Sequence, residues 1–211
     1  MRRTGRSLII ASLLIPAALC ASCKRPDGQS SQSPAQQDSR MLVFRVTATS
    51  LVVREDAGTD KKALFTVPRD SYVVTNAGQL NGQTPVDVAG KKGRWVPYCG
   101  GDGGVVGYVF EGFLAPEAGL RSVELASDKI IAGAITTGEG TFTWTEQTPI
   151  SGAWYAKDDK APFRRVAAYE NGITLNKLNE LIRNNDGLIV MVVKDNRVLQ
   201  FISSNPPRGM E

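Results

Sequence analysis

The chain has 211 residues, with 25 Lys plus Arg against 21 Asp plus Glu, three cysteines and no histidine. Without histidine it can build no Ser-His, Cys-His or His-metal site, and it holds no Ser-x-x-Lys, Gly-x-Ser-x-Gly or Walker-type sequence. Arg2, Arg3 and Arg6 supply most of the positive excess; from residue 23 onward the net charge is +1, too little for the electrostatic footprint of a nucleic-acid binder. No catalytic set, no metal site and no cofactor is therefore expected.

Residues 1–22 follow the plan of an export signal. Three arginines precede an apolar stretch at 7–19, and small residues lead to Cys23. The stretch falls short of the ~20 residues a spanning helix needs, and Pro16 would break one. Leu19-Cys20-Ala21-Ser22-Cys23 resembles the lipobox of bacterial lipoproteins, whose cysteine is acylated. Leu19 stands four residues before Cys23 where the common form has three, a spacing similar to that of spirochaete lipoproteins; Cys20 is the alternative site. The resemblance implies lipidation at Cys23 and attachment to a membrane of the bacterial cell envelope. Residues 23–40 then read as a disordered tether, rich in Ser, Gln and Pro and lacking apolar periodicity.

From 41 to 117 the pattern is one of short strands and turns. Apolar runs at 42–47, 51–54, 63–67, 72–75, 86–88, 94–96 and 105–110 are separated by turn signals, among them Pro68-Arg69-Asp70 and Asn81-Gly82. Such spacing predicts a small barrel or sandwich. The glycines between 100 and 107 resemble a phosphate loop only in composition. Val106 stands where a third glycine is needed and no helix follows, so a hairpin loop is expected.

The order of these pieces resembles the bacterial Src-homology-3-like (SH3) domain. Leu51-Val52-Val53-Arg54 and its polar loop, Tyr72-Val73, Arg94-Trp95-Val96, Gly107-Tyr108-Val109 and Phe113-Leu114 match the family pattern in sequence order. Tyr108 stands where the family usually has Trp, and the insert at 76–92 is long. The resemblance implies an SH3-like barrel that binds peptide or peptidoglycan through aromatics along a groove, with Tyr72, Trp95, Tyr98 and Tyr108 as candidates. Side chains alternate along a strand, so Trp95 and Tyr98 fall on opposite faces. With Trp95 turned inward, Tyr98 is the one expected at the surface. Cys99, the remaining thiol once Cys20 and Cys23 are accounted for, is expected to be a buried small hydrophobe.

Residues 118–206 change character and predict a small α+β domain with an antiparallel sheet and one helix. Thr141-Phe142-Thr143-Trp144-Thr145 alternates as a strand with Phe142 and Trp144 on one face. Strands are expected at 153–157 and 164–170, joined by a loop at Asp158-Asp159-Lys160. Thr174 is a candidate N-cap for a helix whose apolar stripe is Leu175, Leu178, Leu181 and Ile182. A hairpin should follow, 188–193 with 197–202, turning at Lys194-Asp195-Asn196. The unbroken apolar run of its first strand predicts burial on both faces. Gly152-Ala153-Trp154-Tyr155 is similar to the Gly-x-Trp-Tyr signature of lipocalins, but too little chain follows it for that barrel.

The whole is a mainly β chain, expected to be a non-catalytic, lipid-anchored binding protein whose partners are a membrane and peptidoglycan or another envelope protein. Two alternatives stand beside it. One is a cell-wall enzyme using carboxylates of the second domain, such as Glu124, Glu139, Glu146, Asp158 and Asp159. The other is a structural surface lipoprotein.

Overall fold

The computed structural model describes residues 40–80, 84–100, 104–125, 129–156, 164–184 and 189–204. Cys23, the tether up to residue 39 and the loop at Asp158-Asp159-Lys160 lie outside them. Among the described residues the fold is mainly β, with one α-helix.

Among the described residues the first half holds nine strands: β1 (Met41–Val46), β2 (Ser50–Arg54), β3 (Ala63–Pro68), β4 (Tyr72–Asn76), β5 (Val86–Val88), β6 (Lys91–Gly93), β7 (Trp95–Cys99), β8 (Val105–Phe110) and β9 (Leu114–Pro116). They form a three-stranded sheet β4-β1-β9, a four-stranded sheet β3-β2-β8-β7 and the β5-β6 hairpin, every pairing antiparallel. The hairpin turns through Ala89 and Gly90, both at positive φ (52° and 74°). That is the geometry of the tight primed turn, which suits the right-handed twist of its strands. Between β8 and β9 the chain makes a single 3₁₀ turn, Glu111–Phe113. Gly107 is where β8 crosses β2: a Cβ there would run into the Arg54 carbonyl and the Val53 side chain, so only glycine permits the approach.

The second half holds β10 (Arg121–Leu125), β11 (Lys129–Ile131), β12 (Ala134–Thr137), β13 (Gly140–Thr143), β14 (Ile150–Ala156), β15 (Arg164–Glu170), helix α1 (Leu175–Asn184), β16 (Ile189–Lys194) and β17 (Arg197–Ser204). One eight-stranded sheet runs β10-β16-β17-β13-β12-β11, with β14 also on β17 and β15 on β14. The expected antiparallel sheet is mixed. β17 is eight residues long and pairs in parallel with β13 at its start and β14 at its end. Parallel neighbours need a crossover, and α1 lies on the path from β14 back to β17. The helix begins as expected, with the Thr174 hydroxyl accepting from the Lys177 amide at 3.2 Å. The β16-β17 hairpin turns at Asp195 and Asn196, with φ of 50° and 58°.

β16 explains why its sequence is apolar throughout. Ile189, Met191 and Val193 join Leu178 and Leu181 of α1, Phe142, Trp144 and Phe201 in one core. Val190 and Val192, pointing the other way, join Ile202 and Ala153 in a second core. That core also contains Val46, Val53, Val67, Val73, Val96, Tyr98 and Val109 of the first half. The large sheet is thus covered by α1 on one face and by residues 41–116 on the other. Packing runs without a break across the boundary expected near 117, and the described residues form one compact unit. Among the described residues, no helix is long and apolar enough to cross a membrane.

Candidate functional site

The first half carries an apolar groove of about 120 Å³, lined by Leu51, Val52, Val88, Trp95, Phe110 and Phe113, with Ser50, Arg54 and Thr59 at its margin. Five separate elements build it. β2 supplies the aliphatic wall, the β5-β6 hairpin contributes Val88, and Trp95 opens β7. Phe110 ends β8, and Phe113 closes the 3₁₀ turn three residues later. The rings form a chain: Trp95 to Phe110 and Phe110 to Phe113 are each 5.7 Å between centroids, tilted and edge-on respectively, the arrangement that ring quadrupoles favour. Phe110 is buried, while Trp95 and Phe113 are half-buried. The Lys91 ammonium lies 5.1 Å from the Phe113 ring centroid. The volume is below the ~300–1,000 Å³ of small-molecule pockets and suits one side chain or sugar-ring edge.

An ion pair holds the aromatic chain in place. Arg94 donates through Nε and Nη2 to the two carboxylate oxygens of Glu111, at 2.9 and 2.8 Å, and through Nη1 to the Leu80 carbonyl at 3.1 Å. The Glu111 amide returns a bond to the Arg94 carbonyl at 2.8 Å. This fork ties the residue before Trp95 to the residue after Phe110. The Arg94 hydrogen bonds hold the Glu111 carboxyl below the ordinary glutamate range, so its contribution to stability is full above the unfolded pKa. It is lost as pH falls through the depressed folded value. Glu111→Gln should therefore cost about 1 kcal/mol at neutral pH, discounted for partial exposure. The gap from wild type should close below about pH 4, which urea midpoints across the acid range would read. The loop on the other side of the groove is fastened by the Arg54 guanidinium, which donates from Nη1 to the Lys61 carbonyl.

Of the four aromatics expected at a site, Trp95 alone lines this groove. Tyr108 is half-buried on β8, opposite Arg54 and Pro97. Tyr72 is half-buried where the two halves meet; desolvation first, and then the Glu117 charge, raise its hydroxyl pKa. Tyr98 corrects the expectation of a surface residue, being fully buried. The alternation between Trp95 and Tyr98 holds, but the assigned directions are reversed. Tyr98 turns into the core shared with β14, where its hydroxyl pairs with that of Ser151, and burial strongly raises its pKa. Phe110 and Phe113 went unassigned in sequence, although Phe113 belongs to the closing Phe-Leu pair of the SH3-like pattern. Cys99 is buried, with its sulfur 3.4 Å from the Gln79 carboxamide oxygen.

The carboxylates weighed for catalysis do not meet at this groove. Glu124, Glu139 and Glu146 are each exposed, and Glu139 is engaged by Arg121. Asp158 and Asp159 lie outside the described residues. Among the described residues, no three His, Cys, Asp or Glu side chains gather as a metal site would require. Comparison with protein-family models, curated proteins and solved structures finds no match to this chain.

Proposed function

We propose that this chain is a lipid-anchored lipoprotein of the bacterial cell envelope, whose residues 41–117 form an SH3-like module that binds without catalysis. The ligand class is a peptide or a peptidoglycan segment, taken by one apolar group into the Trp95 groove. The observation that carries the reading is the groove itself: three aromatic rings in contact, two of them half-exposed, on a frame fixed by the Arg94-Glu111 fork.

Two further features support it. The sheets β4-β1-β9 and β3-β2-β8-β7 share one core, with a 3₁₀ turn just before the last strand, an arrangement in keeping with a small SH3-like barrel. The groove margin offers the hydroxyls of Ser50 and Thr59 and the guanidinium of Arg54, donors suited to carbonyl or carboxylate groups on a bound chain. Cys23 and the segment at 24–39 supply the anchor and spacer that would hold such a module near the wall.

The test is retention on purified peptidoglycan and on immobilised envelope peptides. Wild type should be retained, and Trp95→Ala should weaken retention about 10- to 100-fold, the range of an aromatic hot spot, with its unfolding midpoint close to wild type. Retention no greater than that of an unrelated lipoprotein, or a Trp95→Ala chain that binds as well as wild type, would refute the proposal.

A further inference from the structure

The second half has a cleft that the groove does not account for. It is about 450 Å³ in volume and lies between α1 and β11, lined by Ile130, Asn176, Asn179, Ile182 and Arg183. Asn176, Asn179 and Arg183 stand at i, i+3 and i+7, so they form one row along the helix. Ile182 beside them and Ile130 across the cleft are half-buried and give it apolar walls. Asparagine is a poor helix former, yet two of the ten residues of α1 are asparagines in this row. A local preference set aside at one face is what a binding surface produces.

The polar groups of the row are uncommitted. Among the described residues neither carboxamide has a hydrogen-bond partner, and Arg183 uses only Nε, donating to the Asn179 carbonyl at 3.1 Å. Among the described residues no acidic side chain lines the cleft, and the helical acid Glu180 faces Lys177 at 3.6 Å. A carboxamide offers one acceptor and two donors, the complement of a peptide group. A guanidinium with both Nη atoms open matches a carboxylate in bidentate fashion.

We infer that this cleft binds a short extended peptide bearing a carboxylate. Asn176 and Asn179 bond its backbone amides, Arg183 pairs with its carboxylate, and Ile130 and Ile182 take an aliphatic face. The site is separate from the Trp95 groove and does not depend on it.

The experiment is an NMR titration of the ¹⁵N-labelled full chain with acetyl-Ala-Glu-Ala, against the neutral acetyl-Ala-Gln-Ala-amide. The side-chain amides of Asn176 and Asn179 and the Nε–H of Arg183 should shift together at millimolar peptide, and the neutral peptide should bind at least about tenfold more weakly. Arg183→Gln should remove that preference. Asn176→Ala should weaken binding while leaving the helix as stable or more so, which a purely structural role would not give. Trp95→Ala should leave the titration unchanged, separating this site from the groove. Absence of shifts at the three side chains, equal binding of the neutral peptide, or indifference to Arg183→Gln would overturn the inference.

Discussion

Replacing Gln200 by alanine is expected to lower the unfolding free energy by about 3–5 kcal/mol and to weaken both halves together. Gln200 is fully buried in β17. Its Oε1 accepts from the Tyr72 amide at 2.8 Å, and its Nε2 donates to the Tyr72 carbonyl at 2.9 Å and to the Ser151 hydroxyl at 2.6 Å. The carboxamide thus stands in for a strand residue along the outer edge of β4. Alanine would leave the Tyr72 amide and carbonyl without their partner and remove one bond from Ser151. Each stranded buried group costs about 1–3 kcal/mol. A second contact between the halves, the Ser71 hydroxyl to the Tyr169 hydroxyl at 3.0 Å, joins two side chains and leaves the Tyr72 amide and carbonyl to Gln200. Because Val190, Val192 and Ile202 share a core with Val53 and Val96, unfolding should be one transition. Urea denaturation followed by NMR signals from 41–116 and from 118–204 should give a single midpoint, displaced equally for both sets in Gln200→Ala. Separate midpoints, or a loss under about 1 kcal/mol, would refute this account of the shared core.

What the sequence made legible follows from local pattern. Turn residues and short apolar runs located most strands of 41–116 to within a residue or two, although the short β6 and β9 were not among them and β7 runs on past Val96 to Cys99; Thr174 with the leucine stripe located α1. The run at 188–193 was legible as a strand buried on both faces, and β16 alternates between two cores. What covers the second face was not legible, because alternation says which residues share a face and not what lies against it. Tyr98 was misdirected for this reason. Its contact with Ser151 spans 53 positions, and that of Tyr72 with Gln200 spans 128. Buried polar residues hide in the same way. Ser151, Gln200 and Ser203 have no solvent exposure, yet in a strand pattern they read as outward-facing. The groove was half legible: Trp95 belongs to the SH3-like pattern, whereas Phe110 and Phe113 reach it only through the turn that follows β8. That turn is set by the Arg94-Glu111 fork across 17 positions, a separation at which no periodicity operates.

On the proposed lipidation at Cys23, Cys23→Ser should move the protein from the membrane fraction to the soluble exported fraction, the largest change any single substitution here should cause. Each buried methylene of an acyl chain contributes about 0.8 kcal/mol, and more than one chain is needed for stable anchoring. Losing the acylated residue should therefore reduce membrane retention by roughly 100-fold or more. Little else near the N-terminus could compensate. Residues 24–39 are dominated by Ser, Gln, Pro and Asp, and the chain from residue 23 carries a net charge of +1. A surface-bound basic residue adds only about 1 kcal/mol, screened within a Debye length. Cys20→Ser is the matched control. With Cys23 as the acylated residue, Cys20 leaves with the signal and its replacement should change neither fractionation nor the mass of the mature N-terminus. Release by Cys20→Ser with retention by Cys23→Ser would move the anchor to Cys20, and an unmodified first residue in the mass spectrum of the native protein would remove the anchor altogether.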